Sequence, residues 1–215
     1  MIRILLADDH DLVRNGISRL LADIADLTVI GHATSGEEAV QICREQRPDV
    51  VLMDIRMPGI GGLEATRKIT ALDTDIKVIA VSAWDDGPLP TRLLQAGAYG
   101  YVAKGAPFAD IVKAIRKAMA GQRYLSASVA EQMALQQFNG GDASPFAKLS
   151  ERELQIALMI VNCAKVQDIA NQLNLSSKTV NSYRYRLFEK LDIASDVELT
   201  HLAIQHGLVD MPTRL

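Results

Sequence analysis

Cysteine is scarce in this 215-residue chain: Cys43 and Cys163 are its only two, they stand far apart, and neither has a neighbour at metal-ligand spacing. That argues against a disulfide framework or a thiolate site, and both thiols are expected to be reduced and buried. The four histidines, His10, His32, His201 and His206, also lack ligand spacing and are read as structural. Excess charge is missing too. A formal net charge of −3 excludes a uniformly basic nucleic-acid coat, so any basic surface has to be local. No long uncharged apolar run occurs, and Arg3 and Asp8 interrupt the only early apolar stretch. Neither a membrane span nor a secretory leader is expected, and the chain reads as cytoplasmic. Internal repeats and low-complexity tracts are absent. What remains is an ordinary globular composition, 48% hydrophobic and 23% charged, in a chain long enough for two domains.

The first 120 or so residues alternate two patterns. Short apolar runs rich in β-branched residues, "IRILLA", "LTVIGHA", "DVVLMD", "IKVIAVS" and "AYGYVAK", read as strands. Helical periodicities lie between and after them: Leu12, Ile17, Leu20, Leu21 and Ile24, then Ala39, Val40 and Cys43, then Leu63, Ala65 and Ile69, then Leu93 and Leu94, then Ile111, Val112, Ile115 and Met119. Five strands alternating with five helices predict an α/β domain over residues 1–122, a doubly wound five-stranded parallel sheet with helices on both faces. Residues 123–147 form a linker that includes a helix around 128–138 and the turn-rich "NGGDASP". Residues 148–211 show helical patterns only, at about 151–161, 166–173, 177–191 and 196–206, and predict an all-α four-helix domain. Ser150 with Glu153, and Ser195 with Glu198, are capping boxes, and Gly207 is placed to end the last helix.

In a parallel sheet of this kind, ligands gather at the carboxyl ends of the strands. Those ends carry Asp8 and Asp9, then Asp54, then Ser82, then Lys104. Asp54 follows the apolar run Val50 to Met53, where an ionised side chain costs stability unless it has a partner. If the first and third strands are neighbours, the carboxylates converge and call for a cation. Oxygen donors with room for water suit Mg²⁺. Lys104 adds a fixed positive charge, and the Ser82 hydroxyl can donate to a phosphoryl oxygen. The set fits an aspartate that accepts phosphate as an acyl phosphate.

"KVQDIANQLNLSSKTVNSYRYRLFEKL" meets the demands of a helix-turn-helix, whose second helix enters the major groove. Ile169, Leu173, Val180, Leu187 and Leu191 point inward, Asn174 suits a left-handed turn, and Ser176 or Ser177 caps the second helix. Lys178, Ser182, Tyr185 and Glu189 point outward with Asn181 beside them, and Thr179, Arg186 and Lys190 flank that face. The exposed face is read as contacting bases, and the flank with Tyr183 and Arg184 as lying near phosphates. A solvated amphipathic helix is the plainer alternative.

The motifs "DDH", "LMDIRMPGIGGLE", "VSA" and "YVAKG" resemble those of bacterial two-component response regulators, whose receiver domain has a flavodoxin-like fold. "LSERELQIALMI", "IANQLNLSSKTVNSY" and "KLDIASDVELTHLAIQHGL" are similar to the DNA-binding domain of the LuxR (NarL/FixJ) type. The resemblance implies a phosphorylation-dependent transcription factor, not an enzyme, in which Asp54 takes a phosphoryl group from a sensor histidine kinase. It implies Mg²⁺ held by Asp9, Asp54 and the Arg56 carbonyl, with Asp8 assisting. Met57, Pro58, Gly61 and Gly62 would shape the acceptor loop, Ser82 and Tyr101 would switch, and Trp84 would line the loop over the pocket. It further implies double-stranded DNA and RNA polymerase as partners, and a homodimer whose last helix contributes Val197, Leu199 and Leu202. "TVNSYRYR" and "RMPGIGGLEATRKI" resemble the GacA/UvrY subgroup, which implies small regulatory RNA genes as targets. Cys163 stands where the family has glycine, Arg184 at a usually apolar position, and Tyr183 in place of histidine.

Two other readings remain open at this level. A Mg²⁺-dependent phospho-aspartate phosphatase would need an acid/base carboxylate two residues after Asp54, where Arg56 stands. A receiver with a protein- or RNA-binding helical tail differs from the leading reading only in what the 178–190 helix meets.

Overall fold

The computed structural model describes residues 1–83, 89–138, 144–206 and 208–209. Expectations placed on Trp84, Gly207 and residues 139–143 lie outside them. The chain divides into two compact units, one built mainly from residues up to 135 and the other from residue 136 onward.

The first unit contains β1 (Ile2–Ala7), α1 (Asp11–Ala22), β2 (Leu27–Ala33), α2 (Gly36–Gln46), β3 (Val50–Asp54), α3 (Gly61–Leu72), β4 (Lys77–Ser82), α4 (Leu89–Gln95), β5 (Gly100–Ala103), α5 (Phe108–Met119), β6 (Tyr124–Leu125) and, as far as Leu135, α6 (Ala127–Phe138). All strand pairs are parallel, in the order β2-β1-β3-β4-β5-β6. β3 is central and buried along its whole length, which is why its run lacks polar alternation. Ile4 and Leu6 of β1 join Val50, Leu52, Ile111, Ile115 and Leu21 in one core under α1 and α5. Leu5 points the other way, toward Ile42 of α2 across Gly31.

The sheet has one strand more than the sequence pattern suggests. β6 is only two residues long, too short to show a period, and it pairs Gly100 with Tyr124 and Tyr101 with Leu125. In α1 the apolar spacing also misleads: Leu21 is buried and Ile17 and Ile24 pack on the core, but Leu12 is 86% exposed and Leu20 47%.

The second unit contains a 3-10 turn (Pro145–Lys148), α7 (Glu151–Val161), α8 (Val166–Leu173), α9 (Ser177–Leu191) and α10 (Asp196–Gln205). At α7 the Ser150 hydroxyl accepts from the Glu153 amide while Glu153 accepts from the Ser150 amide, a reciprocal capping box. At α10 the match is looser, because Glu198 reaches past Ser195 to accept from the Ala194 amide at 2.9 Å. Asn174 closes α8 at φ 52°, the left-handed turn its side chain tolerates, and Ser176 caps α9. Phe146 is fully buried, edge-on to His206.

Cys163 is exposed, against the expectation of a buried thiol. It closes α7 at φ 60°, with its amide on the Ile160 carbonyl and the Ala164 amide on the Met159 carbonyl. This is a glycine-type helix end made by a residue with a side chain. Cys163→Gly is therefore expected to stabilise the protein by about 0.5–1 kcal/mol, left-handed strain relieved less the freedom glycine gains when unfolded. The urea midpoint measures it; no increase would mean that the turn is unstrained.

Candidate functional sites

β1 and β3 are neighbours, with Ala7 opposite Met53, so Asp8 and Asp54 emerge side by side at the carboxyl ends of their strands. Asp54 is only 3% exposed and Asp8 5%, while Asp9 faces solvent. Lys104, just past β5, places its Nζ 2.8 Å from both Asp8 Oδ2 and Asp54 Oδ2. Ser82 ends β4 and is buried, and its carbonyl accepts from the Lys104 amide. The pocket foreseen from strand ends is thus assembled.

The surrounding backbone holds these groups in place. The Arg56 amide donates to Asp54 Oδ1 at 3.3 Å and the His10 amide to Asp8 Oδ1 at 2.8 Å. Arg14 of α1 donates to the Asp8 carbonyl at 2.7 Å and also binds Asp11. Beyond Asp54, the Gly62 amide bonds the Ile55 carbonyl, and a Cβ at residue 62 would lie 2.1 Å from the Asp54 carbonyl oxygen. Only glycine permits that approach. Glu37 of α2 accepts from the Ile60 amide at 3.1 Å and so pins the loop after Asp54 from the side.

Burial pushes the Asp54 carboxyl above the usual carboxylate range, and the Asp8 charge adds to this; Lys104 and the Arg56 amide oppose it without prevailing. Burial alone would lower the Lys104 pKa, but Asp54 and Asp8 outweigh it and raise the value, so this lysine stays charged. One lysine does not neutralise Asp8, Asp9 and Asp54. Ligand atoms of these three and of His10 all lie within 4.8 Å of one another. An oxygen-rich pocket with uncompensated negative charge fits Mg²⁺, which would be held by Asp8, Asp9 and Asp54.

Tyr101 is fully buried in β5 with its ring already inward, not the half-buried strand aromatic that its position allows. His10, read from sequence as structural, instead lies against the acidic pair, its Nδ1 3.0 Å from Asp9 Oδ1 and 3.3 Å from Asp8 Oδ1. Its position directly after Asp8 and Asp9 was the available signal.

On α9, Val180, Leu187 and Leu191 are buried as expected, while Lys178, Ser182, Tyr185 and Arg186 are exposed, with Asn181 and Tyr183 partly so. Thr179 shares its hydroxyl with Ser176 at 2.8 Å. Two cations of the expected DNA set are engaged inside the domain. Arg184 makes a bidentate pair with Asp196 at the start of α10 and lies over the Phe188 ring. Lys190 reaches the buried capping-box Glu153 at 2.7 Å. On α10, Val197 is 64% exposed and Leu202 partly exposed, but Leu199 is fully buried in the domain's own core.

For Glu153 burial raises the pKa, yet Lys190 and the Ser150 groups overcome it and leave the value lowered. A lowered folded pKa gives stability that is present above the unfolded glutamate value and lost as pH falls through the folded one. Lys190→Ala should cost roughly 1–3 kcal/mol at pH 7, and less as Glu153 protonates. Thermal unfolding against pH checks this; a pH-independent difference would contradict it. For Asp54 the sign is opposite. Its raised pKa makes the ionised form a cost to folding above that value, relieved as pH falls. Asp54→Asn should stabilise the metal-free protein, and Mg²⁺ should raise the melting temperature of wild type but not of this variant. An equal Mg²⁺ response in both would place the ion elsewhere.

Known proteins bear on both sites. Residues 4–116 match the response regulator receiver domain family, and residues 147–203 match the bacterial regulatory proteins of the luxR family. The chain is 62% identical to the response regulator GacA of Pseudomonas viridiflava over 98% of this chain and 99% of that one. It is 57% identical to the response regulator UvrY of Escherichia coli K12, over 99% and 98% respectively. The structure of RcsB from Salmonella enterica serovar Typhimurium, bound to promoter rprA with the phosphomimetic BeF3-, shares the fold. Its TM-score is 0.73 at 22% identity, covering 94% of this chain and 98% of that one. With the acidic pocket at the end of a parallel sheet and the helix-turn-helix in a separate unit, the chain belongs to the LuxR-type two-component response regulators, phosphorylation-dependent DNA-binding regulators served by a sensor kinase.

Proposed function

We propose that Asp54 is the phosphoacceptor. The observation that carries this is the Lys104 ammonium 2.8 Å from both Asp54 and Asp8 at the carboxyl edge of the sheet. In the transfer, an Asp54 carboxylate oxygen attacks phosphorus as the phosphohistidine P–N bond breaks, leaving an acyl phosphate on Asp54. Lys104 stabilises charge on the phosphoryl oxygens, and Ser82 donates its hydroxyl to one of them. Asp8, Asp9, Asp54 and the Arg56 carbonyl would hold Mg²⁺, whose chemistry there would be to screen the charge of the incoming group. Ser82 and Tyr101 carry the change to the face made by α4 and β5.

Functionally, the chain acts as a receiver over residues 1–122, a connection over 123–147 and a DNA-binding unit over 148–211. Phosphorylation shifts the balance between arrangements or favours a homodimer, with Val197 and Leu202 as the exposed apolar groups available on α10. Lys178, Thr179, Asn181, Ser182, Tyr183, Tyr185 and Arg186 face the duplex, while Arg184 and Lys190 serve mainly to brace α9. RNA polymerase is the next partner, and the likeness to GacA and UvrY supports small regulatory RNA genes as targets. The setting is cytoplasmic; among the described residues no helix is long and apolar enough to cross a membrane.

Acetyl phosphate with Mg²⁺ should tighten binding to a promoter duplex about tenfold for wild type, equal to about 1.4 kcal/mol, and leave Asp54→Ala unchanged. Tightening in both proteins, or in neither, would overturn the assignment. Lys178→Ala should reduce the salt slope of duplex binding by about one and Arg184→Ala by much less. Equal losses would put Arg184 on a phosphate.

A further inference from the structure

We propose that His10 is a ligand of the metal pocket, supplying an imidazole nitrogen that raises the pocket's preference for Mn²⁺-class transition ions over Mg²⁺. The inference rests on the reading that Asp8, Asp9 and Asp54 hold a divalent cation.

Ligands at about 2.1 Å from an octahedral ion stand about 3 Å apart when adjacent and about 4.2 Å apart when opposite. His10 Nδ1 lies 3.0 Å from Asp9 Oδ1 and 3.3 Å from Asp8 Oδ1, the spacing of adjacent ligands. The whole group of Asp8, Asp9, His10 and Asp54 offers atoms within 4.8 Å of one another, so a contraction of about half an ångström brings all four within reach of a single ion. The backbone favours this placement: the His10 amide is tied to Asp8 Oδ1, which fixes the start of the side chain beside the carboxylates. The His10 side chain is 65% exposed, so the ring can turn toward an ion in the pocket while its other edge stays in water.

Lys104 meets the Oδ2 atoms of Asp8 and Asp54, whereas His10 meets the Oδ1 atoms of Asp8 and Asp9. The two basic groups therefore do not compete for one position. Mg²⁺ prefers oxygen and gains little from imidazole, while Mn²⁺ and the later first-row ions accept nitrogen readily. The consequence is selectivity at the metal, with the carboxylates providing most of the affinity.

The test uses the full chain loaded with Mn²⁺. Pulsed electron paramagnetic resonance should show coupling to a directly bound imidazole nitrogen in wild type, abolished by excess Mg²⁺ and missing in His10→Ala and His10→Asn. Calorimetric titration should show the Mn²⁺-to-Mg²⁺ affinity ratio falling about tenfold in both variants. Metal binding in wild type without nitrogen coupling, or an unchanged ratio in the variants, would overturn the role of His10 and leave the carboxylate pocket standing. Failure of wild type to bind either ion would remove the pocket reading as well.

Discussion

Two buried carboxylates at the ends of adjacent strands, Asp8 and Asp54, bridged by one lysine, set the terms for the first unit. Their mutual repulsion and their loss of water oppose folding, and Lys104 offsets only part of this. A fold that retains such a group needs the rest of its structure to be stiff. The central strand buried on both faces, the Gly62 backbone packed on the Asp54 carbonyl and the Glu37 carboxylate on the loop supply that stiffness. The remaining negative charge is then available for work. It suits a divalent ion, which would offset the repulsion that three bare carboxylates exert on any further anion.

The second unit divides its positive charge between holding itself together and meeting a duplex. Glu153 completes the α7 cap but is buried there, so it needs a cation, and Lys190 comes from α9 to provide one. Arg184 does the same for Asp196 at the start of α10. These pairs tie α9 to the helices on either side, and they engage two of its positive charges inside the unit. The exposed groups that remain, Lys178 and Arg186 among them, are enough for local basic character in a chain that is acidic overall.

Much of this was legible from the order of residues. Strand-ending carboxylates, the serine and the lysine are local features, and a parallel sheet brings strand ends together whatever the details of packing. Caps at Ser150 and Ser176 and the left-handed turn at Asn174 are also set by near neighbours. β6 was not legible, since two residues show no period and its pairing depends on an edge left open by β5. Leu12 and Leu20 share the spacing of core residues but not their direction, because the rotation of α1 on the sheet is fixed by Leu21 and its partners.

The sequence by itself determined the two-unit plan, the strand ends that meet in the acidic pocket and the helix that presents charge, because each follows from periodicity, capping chemistry or strand order. Only the tertiary structure decided which groups are spoken for. Arg184 and Lys190 meet acids 12 and 37 residues away in the chain, Leu199 turns into the core, Cys163 stays at the surface, and His10 lies against Asp8 and Asp9. The physical reason is common to all of them. Whether a side chain is buried, paired or free depends on neighbours supplied by other elements, and their packing angles and distances are not written in local spacing.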